Sequence, residues 1–218
     1  MDAGILPVKD PQDAKRRLSE SFSAAERQQI AEALFQDALR MCASVDFLSW
    51  WVVSNSVVVR AAAAAEGFSV VADAGEGLNR ALELALVEVK AAGAESVTIV
   101  PADAPTAWRG DLEDLVDTGV TADIVVVPAG SDGGTNGLYI SPPDLIGPLF
   151  GRGSLQAHIK EAELKGLRCA VLPLPRLGLD LDTEEDVQTL LKKPEGEHDG
   201  ATLTLLRRLR PQGPEESS

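Results

Sequence analysis

The stretch Ile99-Val-Pro-Ala-Asp-Ala-Pro105 decides how the rest of this chain can be interpreted. Residues 97–100 form an unbroken β-branched run, which is typical of a strand buried on both faces of a parallel sheet. Pro101 cannot donate to a strand ladder, so we expect the strand to end there. Asp103 then lies just beyond the carboxyl end of the strand, where open α/β sheets bind ligands. A metal-bound carboxylate fits this position, and so does an Asp that caps a following helix.

Outward from this strand, candidate strands alternate with candidate helices along the chain. The expected strands are at 3–8, 47–53, 68–72, 123–128 and 168–172, and the expected helices include 57–66, 105–115 and 154–165. The run Ser23-Ala-Ala-Glu26 is a capping box that opens another helix. Such alternation predicts an α/β fold with three layers, in which a mostly parallel sheet is covered by helices on both faces.

Length and composition predict one domain followed by a tail. The chain has 218 residues and is 44% hydrophobic, enough for a substantial core. We place the domain at residues 1–192. Residues 193–218 are polar and rich in Pro, Gly and Glu, which predicts a largely mobile tail with one or two amphipathic turns at 203–210.

The charge and the cysteines exclude several classes of protein. A net charge of −14 argues against a nucleic-acid partner, and no apolar run is long enough to span a membrane. Cys42 and Cys169 lie in apolar surroundings without a pairing pattern, which indicates reduced thiols in a cytoplasmic protein. An anionic substrate would require local compensation of this charge by Lys and Arg side chains or by metal ions.

A basic loop follows the first expected strand, at residues 9–18. Lys15 and Arg17 in this loop are candidates for holding phosphate groups, since doubly wound folds place phosphates after the first strand. A solvated charged loop is the alternative. The loop has neither a Gly-x-Gly-x-x-Gly nor a Walker sequence, which disfavours a dinucleotide-binding fold and a P-loop.

Three glycine-rich segments are candidates for close approach to a ligand. In the loop at 73–80, Gly77 and Asn79 suit contact with a nucleotide base, although an ordinary turn fits equally well. Thr135 lies in a polar turn at 131–137, and Gly151-Arg-Gly153-Ser154 forms a second one, in which Ser154 is expected to cap a helix. His158 follows, and we interpret it as a packing or surface residue. A small apolar wall is expected around Leu138 and Leu155.

Asp180 and Asp182 complete a possible cation site. Alternate residues of an extended chain share a face, so the two carboxylates point the same way and repel unless a cation lies between them. With Asp103 they make three hard oxygen donors without His or Cys, which favours Mg²⁺. Mg²⁺ beside basic and glycine-rich loops indicates phosphoryl or nucleotidyl transfer.

The order of these motifs resembles a known family. The phospholactate and phosphoenolpyruvate guanylyltransferases, which make the guanylylated precursor of the deazaflavin coenzyme F-420, are similar to this chain over roughly residues 3–190. The segments that carry the resemblance are Leu6-Pro-Val-Lys9, Lys15-x-Arg17-Leu18, Gly77-Leu-Asn79, Pro101-Ala-Asp103-x-Pro105, Asp132-Gly-Gly-Thr-Asn136, Gly151-x-Gly-Ser154 and Leu179-Asp-x-Asp-Thr183.

The resemblance implies a nucleotidyltransferase-like domain, of the nucleotide-diphospho-sugar transferase type, that uses GTP and Mg²⁺. It implies that the acceptor's phosphate attacks the α-phosphate of GTP, so that no protein nucleophile is needed. It also implies a role for each candidate residue. The metal ligands would be Asp103, Asp180 and Asp182; the triphosphate would face Lys15 and Arg17; the guanine would lie beside Gly77, Leu78 and Asn79; and the phosphorylated acid would be held by Thr135, Gly151 and Ser154.

The acceptor and some alternatives stay open at this stage. Phosphoenolpyruvate is favoured as the acid and 2-phospho-L-lactate comes next, while the oligomeric state is unreadable. A sugar-nucleotide-dependent glycosyltransferase also uses Asp-x-Asp, but Asp180-Leu-Asp182 lies late in the chain. A molybdopterin guanylyltransferase would need a glycine-rich loop after the first strand. A GTP-binding module without catalytic activity is the remaining alternative.

Overall fold

The computed structural model describes residues 1–13, 15–130, 133–193 and 200–210, and within these ranges seven strands form one sheet. The strands are β1 (Asp2–Pro7), β2 (Ser49–Ser54), β3 (Ser69–Ala72), β4 (Ser96–Ile99), β5 (Ile124–Pro128), β6 (Thr135–Ile140) and β7 (Cys169–Val171). The helices are α1 (Ala24–Ala43), α2 (Val57–Ala65), α3 (Leu78–Ala91), α4 (Arg109–Gly119), α5 (Ser154–Leu164), α6 (Glu184–Leu191) and α7 (Ala201–Leu209).

The strand order in the sheet is β3-β2-β1-β4-β6-β5-β7. The pairs β1–β2, β1–β4, β2–β3 and β5–β7 are parallel, which confirms the mostly parallel sheet. Strand β6 is antiparallel to both of its neighbours. It follows β5 after a connection far too short for a crossover helix, and only an antiparallel hairpin can be closed in that way.

Helices cover both faces of the sheet, as predicted. Side chains alternate along β5, so that Val125 and Val127 pack into one hydrophobic cluster while Ile124 and Val126 pack into another. The first cluster contains buried residues of α1, α2 and α4, and the second contains residues of α3 and α5. The sheet is therefore the middle of three layers.

Helix α4 begins later than the sequence predicts. We expected a helix at 105–115, but α4 starts at Arg109. The segment before it makes a turn in which the Ala107 amide donates to the Ala104 carbonyl. The Asp111 carboxylate then accepts from the Trp108 amide at 3.0 Å. This side chain accepts a hydrogen bond from a backbone N–H group that would otherwise lack a partner at the start of the helix. The helix therefore begins close to Asp111 rather than at Pro105.

Helix α7 lies within the predicted tail. Residues Leu203, Leu205 and Leu206 are buried in a third cluster together with residues of α1 and α6. The Asp37 carboxylate of α1 accepts from the backbone amides of Ala201 and Thr202 at 2.7 and 2.9 Å, and so caps α7. Residues 200–210 of the predicted tail thus form a packed helix, whereas 194–199 and 211–218 lie outside the described residues, and the mobility of the tail stays a prediction.

The described ranges contain no helix with the length and apolar character needed to cross a bilayer. Cys42 is buried and Cys169 is partly buried, and both are free thiols. Burial raises the pKa of the Cys42 thiol, which keeps that group protonated and unreactive.

Candidate active site

The candidate site lies where the strand order reverses. From β1 the chain moves outward through β2 to β3, and it then returns to place β4 on the other side of β1. In open α/β sheets the carboxyl ends of the two strands at such a reversal form a ligand-binding crevice. Lys15 follows β1 and Asp103 follows β4, so both sequence-predicted residues lie at this position.

Lys15 joins two of the predicted carboxylates. Its Nζ atom donates to Asp182 Oδ1 at 2.9 Å and lies 3.4 Å from Asp103 Oδ2. Only 7% of its side chain is exposed, and its backbone has a left-handed φ of 55°. The Leu181 amide donates to the Asp103 carbonyl at 3.0 Å, which fixes the two acidic segments side by side. The long-range pairing expected from sequence therefore exists, with an ammonium group at its centre.

Charge pairing controls the protonation of this cluster. Burial would lower the pKa of Lys15, but Asp103 and Asp182 outweigh it and hold that pKa above its ordinary value. Burial would likewise raise the pKa of Asp182, yet Lys15 and Arg17 keep it below its ordinary value. Both partners are therefore charged at neutral pH. Arg17 lies 3.6 Å from Asp182 with 69% of its side chain exposed, which leaves it accessible to a ligand.

Asp180 completes the acidic segment and forms no ion pair with any of the described residues. Burial, with a contribution from Asp103, raises the pKa of Asp180 to about 6. In the part of the chain that the structure describes, no three His, Cys, Asp or Glu side chains are arranged to hold one metal ion together. The three predicted metal ligands lie close enough to influence one another's pKa, but their carboxylates are not arranged around a single point. Their oxygen donors and mutual repulsion still suit a hard divalent cation.

A second cluster joins β6 to α5 at the same edge of the sheet. Ser154 Oγ lies 3.0 Å from Thr135 Oγ1, which in turn lies 3.1 Å from His158 Nδ1. All three side chains are buried. Ser154 does not cap α5 as we expected, because Gly153 is the cap residue and Ser154 is the first helical residue. Its hydroxyl group is instead hydrogen-bonded to that of Thr135.

The two glycine-rich loops beside these hydroxyl groups lie against each other. The Leu155 amide donates to the Gly133 carbonyl at 3.1 Å, and a Cβ atom on Gly133 would lie 3.9 Å from Gly153 Cα. Gly151 and Gly153 have positive φ angles of 132° and 73°, which L-residues adopt with strain. The predicted acceptor residues Thr135, Gly151 and Ser154 are thus grouped together.

His158, which the sequence analysis interpreted as a packing or surface residue, is buried in this cluster. Its Nε2 accepts from the Leu149 amide at 3.1 Å, and its ring meets Phe150 edge-on at 5.4 Å. Burial lowers its pKa to about 4, although the Ser154 carbonyl opposes that shift. The spacing Ser154-x-x-x-His158 on one helix was the available signal, since residues four apart share a helix face.

The predicted guanine side is tied to the same loop. Asn79 Oδ1 accepts from the Phe150 amide at 2.8 Å, and Asn79 Nδ2 donates to the Phe150 carbonyl at 3.0 Å. Gly77 caps α3 with a φ of 107° and faces open space, and Leu78 is 38% exposed. Leu138, in contrast, is fully buried in the core, so it does not form the wall we expected. Of the two residues expected to form that wall, Leu155 is only partly buried and can still contribute to it.

Comparisons with known proteins agree with this architecture. A protein from Desulfovibrio desulfuricans G20, described as a nucleotide-diphospho-sugar transferase, superimposes with a TM-score of 0.80 at 20% identity. The match covers 95% of this chain and 94% of that chain. At this identity the likeness concerns the fold alone, and it confirms the predicted α/β fold with a mostly parallel sheet between helices.

Sequence relatives are guanylyltransferases. The phosphoenolpyruvate guanylyltransferase of Conexibacter woesei is 34% identical over 210 residues, which is 92% of each chain. The 2-phospho-L-lactate guanylyltransferase of Methanothermobacter thermautotrophicus is 35% identical, covering 93% of this chain and 90% of the relative. The 3-phospho-D-glycerate guanylyltransferase of Phenylobacterium zucineum is 32% identical, covering 95% and 97%.

The family model described as "Guanylyl transferase CofC like" matches residues 3–216. This range includes both clusters of the candidate site and the helix α7. On this evidence the chain belongs to the CofC-like guanylyl transferases.

Proposed function

We propose that this protein transfers GMP from GTP to a phosphorylated three-carbon acid and releases pyrophosphate, as a step of coenzyme F-420 biosynthesis. Phosphoenolpyruvate is the favoured acceptor and 2-phospho-L-lactate the next. The observation that carries the proposal is the position of two clusters at one edge of the sheet. One is the Lys15–Asp103–Asp182 cluster, and the other is the Thr135–Ser154 hydroxyl pair among glycine-rich loops.

The reaction requires positioning and charge neutralisation rather than a protein nucleophile. An oxygen of the acceptor's phosphate forms a bond to the α-phosphorus of GTP, and the bond from that phosphorus to the bridging oxygen of pyrophosphate breaks. The acceptor is already an anion at neutral pH, so its attack needs no base. In a chain of net charge −14, Lys15 and Arg17 would provide the local cations that bring two anions together.

Mg²⁺ is part of the same proposal. Asp103, Asp180 and Asp182 would hold the ion, which when bound supplies charge neutralisation at the reacting phosphates. The ammonium group of Lys15 now lies between two of these carboxylates. In the complex with GTP, Lys15 would be the local cation that faces the triphosphate beside these carboxylates.

The identity of the acid is the finest part of the proposal. The named relatives include enzymes for three different acids at similar identity, so relatedness does not choose among them. Phosphoenolpyruvate is preferred because its planar three-carbon skeleton is compact and requires only a small apolar contact, such as Leu155 offers beside the glycine loops. Small apolar contacts discriminate such acids by only about 1–3 kcal/mol, so slower turnover of the others is expected.

One assay tests the function. The purified protein is incubated with GTP, Mg²⁺ and each of the three acids in turn, and pyrophosphate release is followed, with ATP and CTP as nucleotide controls. We expect release with GTP only, and the highest kcat/KM with phosphoenolpyruvate. A preference for another acid would correct the acceptor, whereas GTP binding without pyrophosphate release from any acid would identify a binding module instead.

A further inference from the structure

The buried imidazole of His158 has a fixed protonation pattern. The Leu149 backbone amide can only donate a hydrogen bond, and it points at His158 Nε2 at 3.1 Å. That nitrogen must therefore carry a lone pair. A charged ring is excluded, because its Nε2–H group would face the N–H group of Leu149. The ring is therefore neutral, with its proton on Nδ1.

This tautomer determines the direction of the adjacent hydrogen bonds. His158 Nδ1–H faces Thr135 Oγ1 at 3.1 Å, so the threonine oxygen accepts there and cannot donate to the ring. Thr135 and Ser154 then share a single hydrogen bond of 3.0 Å between two hydroxyl groups. Whichever of the two donates in that bond, one hydroxyl proton of the pair remains to be donated elsewhere.

An oxygen anion is the natural acceptor for this remaining proton. The hydroxyl pair lies at the first residue of α5, and the positive end of a helix favours anions. Gly151 and Gly153 border it with exposed backbone, so a phosphate or carboxylate can approach closely. Charge-assisted hydrogen bonds of this kind are stronger than those between neutral groups.

We propose that His158 is a positioning residue of the acceptor site, which orients the Thr135–Ser154 hydroxyl pair so that one proton is left to donate to the acid's phosphate or carboxylate. The same imidazole holds the Leu149–Phe150 segment, whose backbone is bound by Asn79 of α3. His158 thereby joins the acceptor side to the nucleotide side. This inference rests on the proposed function and deepens it.

Two substitutions separate the two arms of the imidazole. In His158→Asn the amide nitrogen lies near the position of Nδ1, so the donor to Thr135 remains while the acceptor for Leu149 is lost. In His158→Gln the amide oxygen lies near the position of Nε2, so the acceptor remains and the donor is lost. Each variant loses one buried hydrogen bond, which makes them matched controls for stability.

Steady-state kinetics of the two variants test the proposal. We expect His158→Gln to raise the KM for phosphoenolpyruvate about tenfold or more, with little change in the KM for GTP. The KM of His158→Asn for the acid should stay within about threefold of the wild-type value. The melting temperature of this variant should nevertheless fall about as far as that of His158→Gln. Equal losses in both variants, or an unchanged KM for the acid in His158→Gln, would overturn the proposal.

Two readouts do not depend on turnover. The ¹⁵N spectrum of the imidazoles should show His158 protonated on Nδ1; the sequence has two histidines, and His158→Gln assigns the signals. Calorimetry with inorganic phosphate should show about tenfold weaker binding to His158→Gln than to His158→Asn. The opposite tautomer, or equal phosphate binding, contradicts the role of His158. A wild-type protein that releases no pyrophosphate from GTP with any acid would instead refute the proposed function.

Discussion

At the level of single residues, Lys15 has an uncommon environment. Its ammonium group is buried between carboxylates, and its backbone adopts a left-handed conformation that costs a non-glycine residue on the order of 1–3 kcal/mol. Two ion pairs to Asp103 and Asp182 offset that cost. A side chain held in this way is stable without ligand, and a competing cation can displace it.

The first prediction follows from this competition. Replacing Lys15 with Met should raise the affinity for Mn²⁺ about tenfold in the absence of nucleotide, because the carboxylates lose their internal cation. The same variant should use GTP less efficiently, because the triphosphate loses that cation. Mn²⁺ binding by electron paramagnetic resonance and GTP kinetics measure the two effects. Arg16→Met is the control, since Arg16 lies in the same loop with 80% of its side chain exposed. A fall in both properties would indicate a purely structural lysine.

The second prediction concerns the carboxylates themselves. Asp103→Asn and Asp182→Asn should each reduce pyrophosphate release by orders of magnitude while the circular dichroism spectrum is retained, because a neutral amide is a poor ligand for Mg²⁺. Asp13→Asn changes the same charge at a side chain that is 70% exposed and serves as the control. Near-normal turnover of either site variant at limiting Mg²⁺ would show that its carboxylate does not bind the ion.

The sequence predicted the residues of the site better than their contacts. Strand ends and alternation along the chain placed Asp103 and Asp182 at one edge, because these rules are local. The Lys15 ammonium between them and the His158 imidazole under Thr135 were not foreseen. Both contacts depend on which strands are neighbours: β1 lies beside β4 in the first case, and β6 lies beside β4 in the second.

Among the elements, α7 shows how a distant residue determines local structure. Its Leu203 and Leu206 are buried against α1 and α6, and its first amides are capped by Asp37, which lies 164 residues away from Ala201 in sequence. A polar segment with few apolar residues predicts disorder when it is considered alone. The partner surface on α1 supplies the burial that the segment itself lacks.

The third prediction tests this packing. Leu206→Ala should lower the free energy of unfolding by about 2–5 kcal/mol, because Leu206 is fully buried and its loss leaves a cavity. Thr204→Ala on the exposed side of the same helix should change it by less than about 0.5 kcal/mol. Urea denaturation of both variants makes the comparison. Equal effects from the two substitutions would mean that α7 does not contribute to the core in solution.

For the whole molecule, the distribution of charge matters more than its total. A net charge of −14 opposes the binding of two anionic substrates, yet Lys15 and Arg17 are concentrated at the sheet edge where the strand order reverses.

The buried groups also make stability depend on pH. The pKa of Asp180 is raised to about 6, so the folded protein takes up a proton there at a higher pH than the unfolded chain does. Through this group the free energy of unfolding therefore rises as the pH falls from about 6.

His158 acts in the opposite direction, and this gives the fourth prediction. Burial lowers its pKa from 6.5 to about 4. Above pH 6.5 the imidazole is neutral in the folded and unfolded chains, so it contributes no pH dependence. Between pH 6.5 and 4 the unfolded chain binds a proton that the folded protein does not, so the free energy of unfolding falls by about 1.4 kcal/mol per pH unit, or about 3 kcal/mol in total.

Comparison with the variant isolates this contribution from those of the carboxylates. His158→Gln lacks the titrating group and keeps all other charges, so the free energy of unfolding of the wild type should fall by about 3 kcal/mol relative to that of the variant as the pH falls from 7 to 4. Urea denaturation at intervals of half a pH unit measures the difference directly. If it stayed constant over this range, His158 would already be accessible to protons in the folded protein, and the closed packing of α5 against β6 would have to be abandoned, because only a buried neutral imidazole carries this signature.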